Sequence, residues 1–350
     1  MLIKLFPLAN PRGVIHTAPM VDPHHVLEAP SHPDPYGWYT RLRVSRPIHF
    51  EPSLGLWVVS GPYLVQQALA QPLLRVRPPA EPVPRALQGR PTGEVFAQLV
   101  RMNDGAFHAR HRPDVDAAAA RFSDGAVALA AEAAARDLAP RKDANALLSA
   151  IPVQAMARLL GVAAADLDRT VEWVHDFTQG IAAGASAEAI GRADTAALAL
   201  MEQGERAGLS GPRAANRIAF MQQALDATAG LLGNAVRAVQ LQGDTAHEAG
   251  EVVARVAHAD PAVHNTRRFA AADLELGGER IAAGQGLVLV LVPETPFGHG
   301  AHACPGERIA LQIAATALRT LQSLAPLSRT FGALRGYRPL PNARIPVFAT

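Results

Sequence analysis

The sequence predicts a mainly α-helical fold that carries small β-sheets, and three observations predict it. From about Asp114 to Gln242, Ala-rich runs place apolar residues three and four apart with few prolines beyond Pro140, Pro152 and Pro212. Within that region Pro212 suits a first helical turn and Gly243 a stop, so one helix of about 45 Å is expected between them. Its apolar positions Ile218, Met221, Leu225, Ala229, Leu232, Val236 and Val239 fall on one face. Beyond it the pattern switches to strands, first around Gly277-Gly278 and then in the apolar run Leu287–Val292, before Pro305 to Ala325 returns to helical spacing.

The remaining elements follow from punctuation. Through about Pro113 prolines recur so often that loops and short strands are expected rather than long helices. Pro47-Ile48-His49-Phe50 and Leu56-Trp57-Val58-Val59 flank the turn-like Pro52-Ser53-Leu54-Gly55 and predict a hairpin. Residues 74–95, with five prolines, read as an irregular loop. No internal repeat is present.

Composition narrows the function. The 350 residues are 49% apolar with mean hydropathy +0.07, enough for a substantial core. Thirty-three basic against 31 acidic residues, without a Lys/Arg-rich run, argue against a nucleic-acid partner. Neither lysine, Lys4 or Lys142, follows a glycine-rich turn, which excludes a Walker-type phosphate loop. A single cysteine excludes an intrachain disulfide framework and multi-cysteine metal sites. Met1 to Leu8 is too short for a signal core or a membrane span, so a soluble cytoplasmic protein with no membrane partner is expected. The scattered histidines form no zincin motif, and His24-His25 reads as polar loop rather than metal site.

The cysteine sits in unusual company. In Phe297-Gly298-His299-Gly300-Ala301-His302-Ala303-Cys304-Pro305-Gly306-Glu307-Arg308-Ile309-Ala310, two glycines permit a tight loop with close backbone approach. Pro305 at a helix start would place the sulfur at a helix N-terminus, where free N–H groups favour the metal-ligating thiolate. His302 is positioned to donate to an anion beside it.

This segment resembles the haem-binding loop of the cytochromes P-450, Phe-Gly-x-Gly-x-His-x-Cys-x-Gly-x-x-(Leu/Ile)-Ala, with every fixed position matched. The resemblance implies the cytochrome P-450 fold, a helical bundle whose long central helix crosses haem b (iron protoporphyrin IX). Cys304 would be the axial thiolate of the iron, Phe297 would pack against the ligand loop, His302 would bond a propionate, and Gly306 is the loop's last fixed glycine. His108-Ala-Arg-His-Arg112 is similar to the family's His-x-x-x-Arg, whose two cations, one helical turn apart, reach propionates. Residues 261–278 are similar to the strand entry in which the arginine matched by Arg268 does the same, with Arg267 as competitor. The resemblance covers most of the chain and implies one haem-binding domain over 1–350. A β-containing part occupies about 1–100, and the helical, haem-ligating part about 101–350.

The sequence also departs from the family. The oxygen-activating acid–alcohol pair on the long helix is represented by Asp226 and Ala227, so the acid is kept and the hydroxyl lost. Thr228 lies one residue late, about 100° round the axis, and does not replace it. The Glu-x-x-Arg pair is replaced by Ala254 and Ala257, leaving Glu251 and Arg255 as an exposed i,i+4 pair. The irregular loop that the pair anchors is reduced to Pro293-Glu294-Thr295-Pro296.

The resemblance implies oxidation of a small organic substrate, with O2 and two electrons from a separate ferredoxin or flavoprotein reductase. The proline-rich loop 74–95 and the region about 170–210 would set specificity. The alternative is a haem-thiolate enzyme of peroxide-dependent, dehydratase or isomerase type, for which the lost hydroxyl costs nothing. A non-catalytic accessory relative ranks last, because Cys304 is kept.

Overall fold

The computed structural model describes residues 21–243 and 248–349. The N-terminal Met1–Leu8 segment lies outside them. Elements run α1 (Tyr36–Ser45), β1 (Ile48–Glu51), β2 (Leu56–Val59), α2 (Pro62–Ala70), β3 (Leu74–Arg75), α3 (Pro91–Ala97) and α4 (Gly105–Ala120). The helical middle comprises α5 (Asp124–Leu138), α6 (Ala144–Leu159), α7 (Leu167–Gly180), α8 (Ala187–Arg206) and α9 (Gly211–Leu241). Then come α10 (Ala249–Ala259), β4 (Asn265–Ala270), β5 (Leu274–Leu276), β6 (Glu279–Ile281) and β7 (Gly286–Val290). The chain ends with α11 (Glu307–Leu324), α12 (Leu327–Thr330), β8 (Leu334–Tyr337) and β9 (Pro346–Phe348).

The predicted hairpin forms, with Ile48 opposite Val59 and Glu51 opposite Leu56. It joins a five-stranded sheet of order β1-β2-β7-β4-β3, in which only the β2–β7 pair is parallel. Strands from the first hundred residues and from the last hundred therefore share one sheet. The β5–β6 hairpin turns at Gly277-Gly278, both at positive φ, as a two-residue turn of that hand requires.

Three expectations need correction. Among its described residues the N-terminal part holds four α-helices, because its prolines do not interrupt them: Pro62 and Pro91 occupy first turns, where no backbone donor is missed. Pro113 does lie inside α4, but both it and Ala109, whose carbonyl it leaves unpaired, are exposed. Residues 74–95 are not a structureless loop, since they include β3, a 3₁₀ turn at Arg85–Leu87 and the start of α3. Glu251 and Arg255 are exposed on α10 as expected, yet form no ion pair.

The 31-residue α9 matches the predicted helix within a residue at each end and is about 46 Å long. Its buried face, including Ile218, Met221, Leu225, Leu232 and Val236, lies in the main hydrophobic core against α6, α8, α10 and α11. A second apolar cluster, with Val65, Leu69, Leu287 and Leu289, seals one face of the sheet. The last core residues of α2 thereby fix that helix beneath the segment that carries the cysteine.

Candidate haem-ligand site

The loop between β7 and α11 is closed by its own backbone. The Cys304 N–H donates to Phe297 O at 2.9 Å and the Gly298 N–H to Thr295 O at 2.9 Å. Gly298 and Gly300 sit at φ +75° and +70°. At Gly300 a Cβ would stand 3.2 Å from the Leu69 carbonyl oxygen of α2, so glycine is required by approach as well as by hand. Phe297 is half-buried against the main core.

From the other side Arg112 of α4 donates to the carbonyls of Ala301 and Ala303, both at 2.8 Å, and pairs with Asp116 at 2.7 Å. The cation predicted for a propionate is here the clamp that holds the cysteine loop, with Nε, Nη1 and Nη2 each engaged by protein oxygens. Pro305 lies outside the helix: α11 begins at Glu307 with Gly306 as its N-cap, and the sulfur stands two residues before that cap. Cys304 is exposed, but protein crowds the rest of its surroundings. That crowding pushes the thiol up from its ordinary value, outweighing the lowering effects of the Gly306 N–H and Arg112, and the Glu307 charge adds to the rise. Burial thus opposes the thiolate that helix position alone would favour. A coordinating metal deprotonates a thiol outright, so ligation would bring the charge. Beside the sulfur, a Cβ at Gly306 would meet nothing within 4 Å, leaving an open cradle.

Of the polar groups predicted for one cofactor edge, His108 and His302 come together. His108 and His302 rings lie 4.3 Å apart at 50°. His302 bonds Asp104 Oδ1 through Nε2 at 3.0 Å, and Asp104 also accepts the Val76 N–H at 2.9 Å. Burial alone would raise Asp104, but those two bonds and the His302 charge hold its carboxyl below the ordinary range. His108 is pushed down by burial and by the His302 and Arg112 charges, and its Nε2 is buried without a partner. Arg268 is 4% exposed whereas Arg267 is exposed, which separates the two competitors by burial. Arg268 donates only to Arg267 O and Thr266 Oγ1 and has no ion-pair partner among the described residues. An orphaned imidazole nitrogen and an unneutralised buried guanidinium are what a bound carboxylate would satisfy.

On α9, Asp226 is raised by burial against the opposing Arg338 and His175 charges, with Arg338 at 4.0 Å. Ala227 is half-buried beside it and Thr228 is buried. Sequence reasoning missed Asp104, although Asn103-Asp104-Gly105 before a helix carries a capping signal. Asp104 is indeed the N-cap of α4, with its carboxylate engaged elsewhere. It also missed Arg338, for which no local signal exists. Among the described residues no group of histidine, cysteine and acidic side chains could hold a bare metal ion, and His25 instead pairs with Glu28 in a turn. No helix among the described residues is long and apolar enough to cross a membrane.

No family model matches the chain, and no curated protein does. Solved structures do. CalO2 is 21% identical, with 90% of this chain and 94% of that one covered at a TM-score of 0.73. The P450 heme domain of Tepidiphilus thermophilus is 16% identical over 93% and 95%, with a TM-score of 0.72. P450BioI, solved with an acyl carrier protein ligated to hexadec-9Z-enoic acid, is 19% identical over 89% and 96%, with a TM-score of 0.70. Long central helix, mixed sheet and cysteine loop occur here in one architecture shared along nearly the whole length of such chains, and the protein has the cytochrome P450 fold.

Proposed function

We propose that the chain is a haem-thiolate enzyme of the cytoplasm that binds haem b and oxidises a small organic substrate, using O2 and electrons from a separate ferredoxin or flavoprotein reductase. The observation that carries this reading is the exposed residue Cys304 on a backbone-closed loop whose His302 packs against His108, with the His108 Nε2 left unpartnered and the buried Arg268 left unneutralised. Those residues fit the group. Cys304 would take the iron, Arg268 and His108 would meet the propionates with His302 beside them, and the open cradle at Gly306 would admit the porphyrin. When bound, haem supplies the electron transfer and oxygen activation that no side chain here provides.

The protein's own part is positioning. Arg112 fixes the Ala301 and Ala303 carbonyls, so the sulfur's approach is set before any cofactor enters. Asp226, raised by burial, holds a proton nearer to neutrality than a free carboxyl does and is the group on α9 suited to pass one on. The hydroxyl that would relay it is missing at Ala227. Thr228 is buried one residue further round the helix, where it does not stand in.

That gap, together with the nearness of Arg338 to Asp226, favours a second reading: the same haem-thiolate site working with peroxide, or without oxidant as a dehydratase or isomerase. Reduced protein under carbon monoxide should give the red-shifted Soret band of thiolate ligation, and Cys304→Ala should lose it. Colourless protein that refuses haemin would end both readings. Product formed only with reductase and oxygen supports the first; product formed with peroxide alone, or anaerobically, supports the second.

A further inference from the structure

We infer that a second small-molecule site, for an organic carboxylate with an apolar body, lies between α4, the C-terminal end of α6 and the first turns of α9. A cavity of about 690 Å³ opens there, within the range of roughly 300–1,000 Å³ typical of small-ligand sites. Its walls include Val115, Ala118, Phe122, Leu160 and Phe220, none of them fully buried, so apolar surface is left uncovered in a concave setting. The ring of Phe122, just past α4, meets that of Phe220 on α9 edge to face at 6.5 Å, which ties the two walls together.

The charge at the cavity selects the ligand. Arg217 lines it at 4% exposure, and its Nε and Nη1 are buried with no hydrogen-bond partner, while Nη2 reaches only Leu160 O at 3.4 Å. Burial lowers its pKa from the ordinary guanidinium value, the mark of a cation held without a counter-ion. Asp114, the one acid in the lining, is already paired with Arg213 at 3.2 Å. That leaves Arg121 at the rim and Arg217 within uncompensated, with His111 beside them. An unpaired buried guanidinium is costly, a carboxylate offsets that cost in bidentate geometry, and the apolar walls favour a tail over a free inorganic anion.

The test is calorimetric titration of the purified full chain with decanoate, decanol and decyltrimethylammonium, alongside the visible spectrum of haem-loaded protein. One decanoate per chain should bind at least tenfold more tightly than either analogue, and Arg217→Met should weaken it at least tenfold. That variant removes an unpaired buried charge for an apolar chain of similar length and is expected to fold. Independently, Ala118→Phe should block binding by filling the cavity. The proposal is overturned by absence of saturable binding, by equal binding of the cationic analogue, or by decanoate binding that both variants leave unchanged. Binding that only shifts the haem spectrum, with both variants inert, overturns it too by placing the ligand at the haem. Failure to take up haem would leave every calorimetric arm readable.

Discussion

Replacing Arg268 by methionine separates a cofactor-binding cation from a structural one. Arg268 is 4% exposed on β4, donates only to a neighbouring carbonyl at 2.8 Å and a hydroxyl at 3.3 Å, and burial lowers its pKa. Asp104 acts on it only from beyond ion-pair distance, being already engaged by His302 and Val76. In the haem-free protein the guanidinium thus carries a desolvation cost with little return, the situation in which an apolar replacement of similar volume is neutral or stabilising. The urea-unfolding free energy of haem-free Arg268→Met should stay within about 1 kcal/mol of the parent. Haem binding should suffer, because a hydrogen bond to a charged group contributes about 1.5–3 kcal/mol, which is about a ten- to 150-fold loss in affinity by haemin titration. A variant that loses more than about 3 kcal/mol of stability while binding haemin as before would show that Arg268 serves the fold, and would refute the assignment.

Two further outcomes test the frame around the site. Gly298→Ala and Gly300→Ala both force a side chain into positive φ, about 1 kcal/mol each, but only at Gly300 does the new Cβ also press on the Leu69 carbonyl. Chemical denaturation should therefore rank Gly300→Ala as the more damaging, at about 2 kcal/mol, and equal costs would contradict the packing of α2 on this loop. His264, wholly buried against Tyr39, is lowered to about 3 by burial and by the Arg344 charge. Its folded pKa lies below its unfolded one, so its contribution is intact above about pH 6.5 and is lost as pH falls towards 3. Between pH 6.5 and 5 the unfolding free energy should drop by about 2 kcal/mol, and His264→Gln should flatten that slope. An unchanged slope in the variant would assign the loss to other groups.

What could be foreseen here was local chemistry. The ends of α9, the β1–β2 hairpin and the β5–β6 turn follow from proline, glycine and periodicity within a few residues of each. The loop from Phe297 to Gly306 is legible because its glycines and cysteine carry a spaced pattern that the fold satisfies with its own backbone bonds. Proline misled where its position within a helix mattered more than its presence, at Pro62, Pro91 and Pro113. The direction of the Cys304 shift was missed because desolvation depends on what crowds the sulfur from distant elements, whereas the helix-terminus argument counts only neighbours in the chain. Asp104 with His302, nearly two hundred residues apart, and Arg338 with Asp226 are tertiary pairings for which the sequence holds no spacing rule.

The missing Glu-x-x-Arg pair is instructive in the same physical terms. Without the long irregular loop that such a pair orients, a buried acid and base on α10 would have nothing to satisfy. The molecule instead concentrates its buried charge just past that helix. Asp260 takes Arg344 Nε at 2.8 Å, Arg237 at 3.5 Å and the Tyr36 hydroxyl. The remaining Arg344 donors reach the carbonyls of Pro30, His32 and Pro33, and its guanidinium stacks 3.4 Å over the Tyr337 ring. One fully buried arginine thereby joins the segment before α1, the end of α10 and strand β8, with its donors met. Breaking such a pair costs about 3–5 kcal/mol, because it strands a charge. Arg268 has the opposite character, also buried yet with no acid at ion-pair distance among the described residues. The contrast between a satisfied arginine where the fold is tied and an unsatisfied one where a ligand is expected is the strongest physical reason to place a carboxylate-bearing cofactor at the cysteine loop.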